Sequence, residues 1–100
     1  MKLTEMLSCL GTMREEMEQR LRRVRASGSA GGNMVTVTCD GLGEVIEVRI
    51  DPAVLAEKDP GLLEDLVRAA VNQAADRARE QARKELCSLA GPLTGLSNLL

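Results

Sequence analysis

Four arginines, Arg20, Arg22, Arg23 and Arg25, fall within six residues of one another, and Arg14 lies farther back in the same segment. A second cluster, Arg77, Arg79, Arg83 and Lys84, falls within eight residues. The planar guanidinium fork binds phosphate or carboxylate bidentately and keeps its charge at any physiological pH. Two chemistries fit this pattern. One is contact with the phosphates of a polyanion. The other is a set of solvated helix faces, paired with Glu16, Glu18, Asp76 and Glu80 at helical spacing. Spacing alone favours the second. Arg25 and its neighbours also suit a helix C-terminus, where cations stabilise the exposed carbonyls with no ligand present.

Other chemistry is poorly provided for. The chain contains no His, Phe, Tyr or Trp. Without His, the commonest general base and metal ligand are missing. Without aromatic rings there is no base-stacking platform of the kind used on single strands. Cys9, Cys39 and Cys87 form no C-x-x-C pair, which argues against zinc. Their odd number and wide spacing suit reduced thiols in a cytoplasmic protein. Glu44, Glu47 and Asp51 lack a catalytic partner and read as a solvated strand face. The glycines from Gly28 to Gly32 do not match G-x-G-x-x-G, and no Lys-Ser/Thr follows them. The expectation is a protein that is not an enzyme, with no catalytic residue, cofactor, metal or small-molecule substrate.

Charge is unevenly distributed. The net charge is −2. Residues 1–39 hold six basic and four acidic groups, residues 40–65 two and eight, and residues 66–100 five and three. The acidic centre is flanked by two basic segments, and local clusters govern the field at short range. Met1 to Leu10 mixes Lys2, Thr4, Glu5 and Ser8 among its apolar residues, unlike a signal peptide or a membrane span. A cytoplasmic location is expected.

The elements that must carry the arginines follow from periodicity. Leu3, Met6, Leu10, Met13, Met17, Leu21 and Val24 recur in steps of three and four, close to a coiled-coil seam. A helix of that length runs roughly 33 Å, whereas a compact chain of this size has a radius of gyration of about 13 Å. It must span the body or project from it. Gly28, Gly31 and Gly32 end the helix; a flexible linker and an edge strand, Val24 to Gly28, both fit there. Met34 to Cys39 and Glu44 to Ile50 alternate as strands around the turn Asp40-Gly41-Leu42-Gly43. In the second strand Ile46, Val48 and Ile50 face one way. Asp51-Pro52 and Asp59-Pro60 are helix starts, each an N-cap Asp followed by Pro. The last helix is predicted from Pro60 to Ala90, stopped by Gly91-Pro92, with Leu63, Leu66, Val67, Ala70, Ala74, Ala78, Ala82 and Leu86 facing inward.

The fold class is α/β in the broad sense, and α+β in arrangement. A long N-terminal helix, a small antiparallel sheet of two to three strands and a long C-terminal helix form one domain over residues 1–90. Residues 91–100 are expected to be a mobile tail. An aliphatic core in so short a chain is thin, so a partner, most simply a second copy, is expected.

The run from Val35 through Thr36, Val37, Thr38, Cys39, Asp40, Gly41 and Leu42 to Ile50, Asp51 and Pro52 resembles the strand–turn–strand–Asp-Pro signature of the YbaB/EbfC nucleoid-associated proteins. The segment from Leu63 to Ala74 resembles that family's following helix, and the likeness extends over essentially the whole chain. The resemblance implies a homodimer with tweezer-like helical arms and strands of both copies at its centre. It implies binding to double-stranded DNA in the bacterial nucleoid, with a role in chromosome organisation or regulation. It also implies that Arg14, Arg20, Arg22, Arg23, Arg25, Arg77, Arg79, Arg83 and Lys84 contact DNA phosphates with little sequence preference. The short segments at either end depart from many relatives. The rival reading is an adaptor in replication or recombination that seats a protein on the Met-rich face of the first helix.

Overall fold

The computed structural model describes residues 2–89. The element order is α1 (Leu3–Arg23), β1 (Ala26–Ala30), β2 (Val35–Cys39), β3 (Val45–Ile50), α2 (Pro52–Ala56) and α3 (Pro60–Leu89). The expected α+β arrangement is present, and the glycine-bearing segment is a strand rather than a linker. That strand begins at Ala26, two residues later than expected, because Val24 is still the cap of α1. The expected tail at residues 91–100, like the last residue of the predicted helix, Ala90, lies outside the described residues.

The three strands form an antiparallel sheet in the order β1-β2-β3. Gly31, Gly32 and Asn33 all have positive φ in the turn joining β1 to β2, a conformation that favours Gly and Asn. Asp40 organises the turn from β2 to β3. It is 2% exposed, and its Oδ1 accepts from the amides of Leu42 and Glu44, each at 2.9 Å. Asp51 and Asp59 act as N-caps: their carboxylates accept from the amides of Ala53 and Leu62.

The core is a thin layer between α3 and one face of β1 and β2. Val35, Val37 and Cys39 alternate inward and meet Ala70, Ala74 and Ala78, all buried, with Ala26 beside them. Alanines every four residues on α3 let the helix sit close to the strands. The other face of the sheet carries Ser27, Thr36, Thr38, Glu47 and Arg49, with Ser27 and Thr38 in hydrogen-bond contact.

The inward face of α3 does not continue to Leu86 as expected: Leu86 is exposed, because the sheet ends before the helix does. The apolar side chains of β3 do not pack beneath α3. Val45, Ile46, Val48 and Ile50 are all exposed, because α3 crosses over β1 and β2 only. Ile46 also departs from simple alternation, since a bulge lies where Thr38 opposes Glu47 but Cys39 opposes Val45.

Helix α1 projects. None of its residues is buried, and its apolar stripe lies open to solvent, with Leu3 70% exposed. Only its C-terminal end is anchored, where Met17 and Leu21 are half-buried and the Gly41 amide donates to Leu21 O at 2.8 Å. A radius of gyration of 18.9 Å and extents of 64 × 31 × 17 Å follow from that projection. No helix among the described residues is long and apolar enough to cross a membrane.

Candidate nucleic-acid interface

The two arginine clusters sit on the elements that extend from the sheet. The last turn of α1 carries Arg20, Arg22 and Arg23, where cations offset the negative end of the helix dipole. Arg25 lies just beyond it and donates to the carbonyls of Arg22 (2.6 Å) and Val24 (2.9 Å), the C-terminal role its position suggested.

The nine basic residues are not gathered on one face. Arg20 and Arg23 share an open depression with Val24 and with Glu85 of α3. Arg22 stands among Glu15, Glu18 and Gln19, on another side of α1. Arg25 and Arg77 line a further open depression with Ser27 and Glu80. Arg79 and Arg83 flank a second depression with Leu42 and Leu86. At 100° per residue, Arg77 and Lys84 lie on one side of α3 while Arg79 and Arg83 lie on nearly the opposite side.

Their electrostatic states differ too. Arg14 pairs with Glu18 (3.4 Å), Arg79 with Asp76 (2.6 Å), and Arg83 with Glu80. Each of these is an exposed pair one turn apart, the class that contributes about 0–1 kcal/mol and exchanges readily. Arg20, Arg22, Arg23 and Lys84 form no ion pair among the described residues. These four are charges whose recruitment by a phosphate would break no existing pair.

Arg77 is engaged differently. It donates to the backbone carbonyl of Ser27 at 2.7 Å. One turn earlier on α3, Gln73 Oε1 accepts from the Ser29 amide at 2.7 Å. Both backbone groups lie on the outer edge of β1, so α3 covers that edge with two side chains. The sequence reading missed Gln73. Its signal was a single amide one residue before the Ala74 of an otherwise small, apolar helix face.

The carboxylates of the β3 segment have structural duties. Glu47 pairs with Arg49 at 2.5 Å, and Asp51 caps α2. Cys9 and Cys87 are exposed and Cys39 is buried, all as free thiols.

Comparison with known proteins agrees with this picture. Residues 1–93 match the profile described as the YbaB/EbfC DNA-binding family. A nucleoid-associated protein of Chlorobium phaeobacteroides is 36% identical over 98 residues, covering 98% of this chain and 86% of that protein. One from Acidobacterium capsulatum is also 36% identical, covering 92% and 90% of the two chains. Among solved structures, an uncharacterised protein from Helicobacter pylori superposes with a TM-score of 0.64 at 27% identity, covering 87% of this chain and 94% of that one.

Proposed function

The chain belongs to the YbaB/EbfC DNA-binding family, and on that premise we propose that it binds double-stranded DNA as a homodimer in the bacterial nucleoid. Its role there is architectural or regulatory, and it reads sequence weakly. The observation that carries this reading is that Arg20, Arg22, Arg23 and Lys84, on α1 and α3, form no ion pair among the described residues. Arg14, Arg79 and Arg83 join them by exchanging a neighbouring carboxylate for a phosphate. Arg25 and Arg77 use part of their donor set on backbone carbonyls and lend charge from the root of the arms.

The mechanism is electrostatic. Arginines displace condensed counterions from the duplex, and affinity falls as salt rises. With roughly six phosphates neutralised, log K against log salt falls with a slope of about −5. The acidic central segment keeps DNA off the body and leaves the arms as the docking surface. Weak sequence preference follows from contacts made to backbone phosphates, which carry no sequence information directly.

A second reading is favoured by one observation, the exposed apolar stripe Leu3, Met6, Leu7, Leu10 and Met13 on α1. A patch of this kind suits a protein partner. One experiment separates the two. Labelled duplex is titrated with wild-type protein and with the Arg20→Gln, Arg22→Gln, Arg23→Gln triple variant at several salt concentrations. DNA binding predicts tight, salt-steep association that the variant loses. Weak binding unchanged by the variant would favour the protein partner.

A further inference from the structure

We propose that residues 93–100 pack along the apolar stripe of α1 in the same chain, with Leu93 toward Met13 and Leu99 and Leu100 toward Leu3. The proposal does not rest on the DNA-binding reading. It names an occupant, from within the chain, for the surface that the protein-partner reading invokes.

The stripe is open over most of its length. Leu3, Met6, Leu7, Leu10 and Met13 are all exposed, Met6 by 48% and Met13 by 54%. Together they make an apolar strip about 15 Å long on one side of the helix, the kind of surface that marks a contact still to be made. The same stripe continues through Met17 and Leu21, which are half-buried where α1 meets the body. It is covered at its anchored end and bare beyond.

The residues that follow α3 are placed to cover the rest. Glu85 of α3 lines the same depression as Arg20, Arg23 and Val24 of α1. Leu89 stands one helical turn after Glu85, about 6 Å along the axis. The chain therefore leaves α3 close to the anchored end of the stripe. Along α1, Met13 lies about 11 Å and Leu3 about 26 Å from Arg20. Residues 90–100 span up to about 36 Å when extended, enough to reach the far end.

Their chemistry matches the surface. Charged residues make up 28% of the chain, yet residues 90–100 contain no Asp, Glu, Lys or Arg. Such a segment can lie on apolar surface without taking a charge out of water. Leu93, Leu96 and Leu99 recur every third residue. That spacing sets them along one side of either a helical turn or a polyproline-II segment. Gly91 and Pro92 stop α3 and let the chain turn onto α1. Those leucines then have an apolar strip to bury against, in place of the free tail expected from the sequence.

The test follows oxidation of each methionine by hydrogen peroxide, read by mass spectrometry. It compares the full chain with a variant carrying Leu93→Ser, Leu96→Ser, Leu99→Ser and Leu100→Ser. Met34, half-buried just before β2, is the internal reference, and circular dichroism checks that the variant folds. Met6 and Met13 are expected to oxidise several-fold faster in the variant, with Met34 unchanged. Equally fast oxidation in both proteins would overturn the proposal, since the stripe would then be bare. Equally slow oxidation in both would overturn it too, and would assign the cover to a second copy or another chain. Independently, a nitroxide is placed by Ser97→Cys in a Cys9→Ser, Cys87→Ser background, which leaves only the buried Cys39. It is expected to broaden the amide resonances from Met6 to Met13 of its own chain. Absence of broadening would overturn the docking. Broadening seen only between isotope-labelled and spin-labelled copies in a mixture would overturn packing within one chain.

Discussion

Gly28 of β1 and Ala70 of α3 stand so close that a methyl group on the glycine would fall within the van der Waals envelope of the Ala70 carbonyl oxygen. It would meet the Ala74 amide nitrogen equally closely, and both obstacles are backbone. This approach sets the spacing between the sheet and α3, and through it the seat of the whole aliphatic core. Gly28→Ala is therefore expected to cost about 1–3 kcal/mol by overpacking, read as a lower midpoint in urea. An unchanged midpoint would mean that α3 shifts freely over β1.

The turn from β2 to β3 depends on a single buried carboxylate. Asp40→Ala removes the acceptor for two amides, those of Leu42 and Glu44. A loss of about 1–3 kcal/mol is expected. Asp40→Asn keeps an oxygen in place and is expected to retain most of the stability. Equal loss in both variants would show that the negative charge, rather than the acceptor, matters.

The bond from Ser29 to Gln73 predicts protection at an edge that would otherwise exchange with solvent. Gln73→Ala is expected to speed hydrogen exchange of the Ser29 amide while leaving the amides of β2 protected. Uniform acceleration throughout the sheet would show that Gln73 supports global stability instead.

The exposed pairs Arg79–Asp76 and Arg83–Glu80 are expected to contribute little to folding. Replacing both arginines with Gln should change stability by less than about 1 kcal/mol yet reduce the steepness of the salt dependence in a DNA titration. A large fall in thermal stability would reassign them to holding α3.

Local features were legible in the residues. The stripe from Leu3 to Val24 marked α1, the alternation of Val35, Val37 and Cys39 marked β2, and the Asp-Pro pairs marked both later helix starts. These follow from the periods of 3.6 and 2 and from capping, all of which act within a few residues. The basic clusters were legible as clusters, since proximity in sequence suffices to find them.

What each residue faces was settled only by the packing of α3. Alternation gave Ile46, Val48 and Ile50 a common side, but whether that side is covered depends on how far α3 reaches across the sheet, and it stops over β2. Arg77 and Arg79 look equivalent as neighbours in a basic run. In space, Arg77 reaches the carbonyl of Ser27, fifty residues earlier in the chain, while Arg79 turns to Asp76 on its own helix. Periodicity is a property of one segment, whereas burial and edge protection arise where two segments meet. The residues alone therefore determined the helices, the strands and the sign of the charge. The tertiary arrangement decided which cations lack an ion pair among the described residues, and which strand edge α3 covers.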